Sequence, residues 1–82
     1  MKHKYPCPCC EFVTLTSEPP GTYELCPVCF WEDDGVQFND PNYAGGANRE
    51  SLNQARANFR EFGASARSAL PHVRRPLPEE RP

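Results

Sequence analysis

The chain has 82 residues, 38% of them hydrophobic, and a formal net charge of −2. That size allows one small domain and excludes a large apolar core, so stability has to come from a metal, disulfides or a partner. The charge disfavours general binding to a phosphate backbone, which rewards a basic face. No run approaches the roughly 18 to 20 apolar residues of a membrane span. The opening Met1-Lys2-His3-Lys4-Tyr5-Pro6 lacks the apolar stretch of a secretory signal. A soluble, cytoplasmic protein is expected, in a compartment that keeps thiols reduced.

Taken in order, Tyr5-Pro6 leads into Cys7-Pro8-Cys9-Cys10, with the tyrosine placed to cover one side of the cysteines. Residues 12–16 are β-branched and apolar and read as a strand. Ser17-Glu18-Pro19-Pro20-Gly21 breaks any ladder, because two successive residues lack an N–H. Residues 22–25 alternate polar and apolar as a returning strand, so that one hairpin carries a cysteine arm at each foot. After Cys26-Pro27-Val28-Cys29, the run Phe30-Trp31-Glu32-Asp33-Asp34-Gly35 passes from aromatic to acidic and ends in a turn. Val36-Gln37-Phe38 suggests a short third strand, and residues 39–48 form an irregular loop. Asn48 is the expected N-cap of a helix with Leu52, Ala55, Phe59 and Phe62 on one stripe. Gly63 marks its left-handed stop. Residues 1–63 are thus expected as the domain, and residues 64–82, with Pro71, Pro76, Pro78 and Pro82, as a poorly ordered tail carrying several arginines.

The two Cys-Pro-x-Cys arms stand 15 residues apart, the spacing of a four-cysteine metal site. Cys7, Cys10, Cys26 and Cys29 are the expected ligands of one structural ion. Zinc is favoured, and iron in a rubredoxin-like site would use the same four thiolates. Proline at the second position of each arm sets φ for a tight turn, whose amides then point back at the first sulfur. The odd count of five cysteines fits four ligands and a spare thiol better than paired bridges. Cys9, beside Cys10, diverges from the shared ion and reads as a small half-buried side chain, with a reactive thiol as the sharper alternative. Phe30 and Trp31 are expected to shield the sulfurs, the alternative being an exposed recognition pair. Glu32-Asp33-Asp34 reads as a solvated acidic turn rather than a magnesium site, with Asp33 and Asp34 available to a partner. His3 and His72 are expected in solvent.

These arms, with Cys29-Phe30-Trp31-Glu32-Asp33-Asp34 and the stretch from Gly45-Gly46-Ala47-Asn48 to Asn58-Phe59, resemble the bacterial cysteine-rich CPCC family from about Tyr5 to Gly63. The resemblance implies a small zinc-ribbon-like domain, stand-alone or appended to another protein, with no assigned activity. Some small bacterial proteins of this sort are suspected toxin-immunity proteins. Ribbons often place glycine after the second cysteine of an arm, whereas Glu11 and Phe30 stand there in this chain.

The fold class expected is α+β: a metal-stabilised ribbon of two or three short strands followed by one amphipathic helix. A site with four cysteine ligands is closed, and no nucleophile–base pair stands out, so no enzyme is expected. Charge is uneven: residues 1–62 carry five Lys/Arg against nine Asp/Glu, and residues 63–82 four Arg against two Glu. A protein-interaction module is the leading functional reading, with masking of a basic toxin as one version. A nucleic-acid-binding ribbon, using Lys2, Lys4, Arg49, Arg56, Arg60 and the tail arginines, is the alternative. Thiol redox comes third, because neither arm opens the helix that would depress a thiol pKa.

Overall fold

In a computed structural model describing residues 3–82, the chain forms an α+β domain of two short hairpins, two helices and a packed carboxy-terminal strap. Met1 and Lys2 lie outside the described residues.

Strand β1 (Tyr5–Pro6) pairs antiparallel with β2 (Val13–Leu15), and the first cysteine arm is the turn between them. The turn is closed by Cys7 N–H to Phe12 O at 2.9 Å and Glu11 N–H to Cys7 O at 2.8 Å. The second arm repeats this 19 positions on: Cys26 N–H bonds Trp31 O at 3.0 Å and Phe30 N–H bonds Cys26 O at 2.7 Å. Leu25 bridges to Glu32, and Tyr23 and Asp33 extend the pairing through Tyr23 N–H to Asp33 O. Each arm is therefore the tip of its own small hairpin.

That corrects the expected pairing of residues 12–16 with 22–25. Pro19 and Pro20 remove two ladder donors from the connection, and the Glu24 carboxylate takes the N–H groups of Thr16 and Ser17 instead. The third strand is also corrected. Val36-Gln37-Phe38 lies within helix α1 (Gly35–Asn39), whose N-cap Asp34 accepts from Val36 N–H at 2.8 Å and Gln37 N–H at 3.3 Å. A capping aspartate supplies the acceptor that two free amides of a first turn lack.

Helix α2 (Leu52–Phe62) is capped by Ser51, whose hydroxyl accepts from Gln54 N–H, and not by Asn48. Gly63 ends it at φ 87° with its N–H on Phe59 O, as its position in the sequence implies. Leu52 and Ala55 are fully buried against the cysteine turns, and Phe59 meets Phe12 edge to face at 6.1 Å. Phe62 departs from the expected core stripe: it is half-buried, with the Arg67 guanidinium 4.5 Å from its ring centroid.

Residues 64–82 are a folded strap rather than a poorly ordered tail. They carry two 3-10 segments (Arg67–His72 and Pro78–Glu80) and bury Ala64, Ser65, Ala66, Ala69 and Glu80. Small side chains let the strap lie close against the second cysteine turn, and the prolines fit because 3-10 turns and extended backbone tolerate a missing N–H. The Arg74 guanidinium grips the Glu80 carboxylate with two bonds, of 2.8 and 2.7 Å. No helix among the described residues is long and apolar enough to cross a membrane.

Candidate metal centre

The two turns face each other and bring Cys7, Cys10, Cys26 and Cys29 together, all buried, with their sulfurs within 4.8 Å of one another. Cys7 Sγ lies 3.6 Å from Cys29 Sγ, and Cys10 Sγ lies 3.7 Å from Cys26 Sγ. A tetrahedral zinc ion with sulfurs at about 2.3 Å sets sulfur–sulfur edges of about 3.8 Å. These two pairs match that edge. They are far from the roughly 2.05 Å of a disulfide, and all five cysteines are free. The residues present fit one four-coordinate ion, which Cys7, Cys10, Cys26 and Cys29 would hold.

Two polar groups contact the sulfurs. Cys9 N–H points at Cys7 Sγ at 3.4 Å, the amide contact that the proline turn sets up. Thr14, a buried residue of β2, places its hydroxyl 3.0 Å from Cys26 Sγ. Hydrogen bonds from Cys10, Cys29 and Cys7, with Thr14 adding to them, hold the Cys26 thiol far below its usual range. The Cys26 contact in turn pushes Cys10 up, and contacts with Cys10 and Cys26 push Cys29 up. Sulfurs at these distances repel one another once charged, and a divalent cation is what relieves that repulsion.

Glu11 and Phe30, the residues after each arm, have φ of 70° and 69°. Both adopt the left-handed conformation that glycine takes most easily, so the ribbon turn is kept without it.

The remaining singled-out residues divide. Cys9 is buried and lies outside the four-sulfur group. Tyr5 packs half-buried against the cysteine core, and Trp31 is fully buried within it. Phe30 is half-buried and stacks on His72, with ring centroids 4.9 Å apart. The acidic turn is not a solvated one, because Asp33 and Asp34 are both buried. Asp33 accepts from Thr22 N–H and hydroxyl. Asp34 caps α1 and also accepts from Ala47 N–H at 2.8 Å, the contact that most lowers its pKa.

Sequence reasoning missed Thr14 and a buried polar hub. Gln37 Nε2 donates to the carbonyls of Tyr43, Asn48 and Glu50, and its Oε1 accepts from Asn48 N–H and Nδ2. Asn48 pairs both backbone groups of Glu32, acting as one more rung on the second hairpin. Gly46 is needed beside this hub: a Cβ there would lie 2.6 Å from Asp34 Oδ2 and 2.9 Å from Gln37 Cδ. The Gly45-Gly46-Ala47-Asn48 stretch is the sequence trace of the hub, since a glycine without a turn requirement marks close approach.

Two facing cysteine turns, four converging buried sulfurs and a covering helix define the class: a small α+β domain built around a site fit to hold one metal ion. The chain belongs to the cysteine-rich CPCC family, whose model matches residues 5–80. The match runs past Gly63 and takes in the strap as far as Glu80. No curated protein matches the chain.

Proposed function

We propose that the chain is a small, non-enzymatic zinc protein whose closed tetrathiolate site organises a surface for binding another protein. The convergence of four buried cysteine sulfurs carries the metal reading. Four protein ligands complete a tetrahedron and leave no position for a substrate, which favours a structural role. Zinc suits four thiolates with no redox demand, and free thiols suit the cytoplasm.

The interaction reading draws on exposed apolar residues. Tyr23 and Val36 are each 60% exposed, and Leu25 and Tyr43 are also open. Tyr23 sits at φ 58°, a costly conformation for a tyrosine. Several arginines that suggested nucleic acid have internal tasks: Arg56 Nε donates to Pro8 O, Arg67 lies over Phe62, and Arg74 holds Glu80. A protein partner is therefore preferred, and an immunity-like role is one form it takes.

Elemental analysis of untagged protein should return one zinc per chain, and chelation should abolish the far-ultraviolet circular dichroism of α2. Folded protein with well under one ion per chain refutes the metal reading. For the partner, zinc-loaded chain is used as bait in lysate of its native cell, beside a Tyr23→Asp/Val36→Asp variant. A protein held by the first and lost by the second is expected. Equal recovery, or recovery of nucleic acid alone with loss at high salt, overturns the interaction reading.

A further inference from the structure

We propose that the strap is a clamp on the metal centre, with Arg74 and Glu80 as its latch, and that it sets how fast a bound ion escapes. The inference rests on the reading that the four cysteines hold an ion.

All four sulfurs are buried, so an ion leaves only if one cysteine turn swings away from the other. Each turn is held from outside at an equivalent proline carbonyl. On the first, Arg56 Nε of α2 donates to Pro8 O at 3.0 Å. On the second, the strap supplies the donor, Arg74 N–H to Pro27 O at 3.2 Å. It adds Ser65 N–H to Cys29 O at 2.8 Å, on a ligand residue itself. His72 stacking on Phe30 makes a third contact to the same turn.

The latch then ties this turn to the other hairpin. From Arg74 the chain runs to Pro78–Glu80, which packs against β2, the outgoing strand of the first cysteine turn. Glu80 is 2% exposed. Its carboxylate takes both arms of the Arg74 guanidinium and Leu77 N–H at 2.8 Å. A single segment thus grips both halves of the site, and the halves separate only after Arg74 and Glu80 part.

The pair is asymmetric, which gives the inference an ordered signature. The Arg74 side chain is 40% exposed and Glu80's is 2%. Removing Arg74 strands a buried carboxylate, whereas neutralising Glu80 leaves a guanidinium that water still reaches. Glutamine at position 80 also keeps an acceptor for Leu77 N–H.

The test loads the full chain with zinc and follows release into excess 4-(2-pyridylazo)resorcinol for wild type, Glu80→Gln and Arg74→Met. Hydrogen exchange at the Ser65 and Arg74 amides reports strap opening in the same samples. Release should quicken about tenfold in Arg74→Met and less in Glu80→Gln, in step with exchange at both amides, while stoichiometry stays at one ion. If Arg74→Met does not fold, the milder Glu80→Gln still carries the comparison. Faster amide exchange with an unchanged release rate overturns the clamp and leaves the metal centre standing. Unchanged exchange and release in both variants also overturns it, since the pair is then no latch. Wild type that takes up no zinc sinks both readings together.

Discussion

Replacing Thr14 by valine isolates the one hydroxyl aimed at the sulfur cluster. Threonine and valine share a shape, and Thr14 is 3% exposed on β2, so the substitution removes the hydroxyl and little else. With an ion bound, Cys26 is a thiolate and the Thr14 O–H is the donor, across 3.0 Å. Cys26 is 0% exposed, so no water replaces the lost bond. A hydrogen bond to a charged group is worth about 1.5 to 3 kcal/mol net. At about 1.4 kcal/mol per factor of ten, zinc affinity should fall by about 10- to 100-fold. Competition against a chelator of known affinity at pH 7.4 measures it. Thr14→Ser is the control: it keeps the hydroxyl and should bind near wild type, losing about 1 kcal/mol of stability with its methyl group. Wild-type affinity in Thr14→Val, or a serine variant as weak as the valine one, would refute the argument that this bond charges the Cys26 sulfur.

Three further outcomes are expected. Gln37→Glu keeps the shape of the hub but sets a carboxylate against the carbonyls of Tyr43, Asn48 and Glu50; it should cost about 3 kcal/mol or more in denaturant unfolding, while one ion per chain is retained. Glu11→Gly relieves a φ of 70° on an exposed side chain and should raise stability by about 0.5 to 1 kcal/mol after the added freedom of the unfolded chain, read as a higher melting temperature. Acid should act through the thiolates first. Asp34 has its folded pKa lowered by Ala47 N–H, and Glu80 by Arg74. A depressed carboxylate pKa gives stability that is complete above the unfolded value of about 4 and is lost only as pH falls through the lower folded value. Metal binding, by contrast, competes with protons on sulfur at higher pH. Acidification should therefore release zinc and unfold the chain together, and Asp34→Asn should lower stability at pH 7 without changing its pH slope above pH 5, followed by Trp31 fluorescence. A slope that flattens in the variant contradicts that order.

What the sequence alone determined is the local chemistry. Two Cys-Pro-x-Cys turns close by contacts within six residues, so their spacing announces the four cysteines that converge and leaves Cys9 outside the group. The Leu52, Ala55, Phe59 period and Gly63 likewise place α2, because a helix writes its buried face into its own repeat. Tertiary structure decided which strands pair. Glu24 answers the Thr16 amide with a side chain, and each cysteine arm then pairs back on itself, a choice that β-branched composition leaves open. It also decided where Asp34, Gln37 and Asn48 go, since their partners lie up to 16 residues away and no period relates them. The strap is the sharpest case. Its prolines and arginines look solvated in isolation, and it packs because the Ser65 and Arg74 amides find carbonyls on the distant second cysteine turn, while Arg74 and Glu80 pair within the strap. Short-range geometry is legible in a chain because the chain itself supplies both partners; long-range satisfaction of buried polar groups is not, because the second partner exists only once the fold has formed.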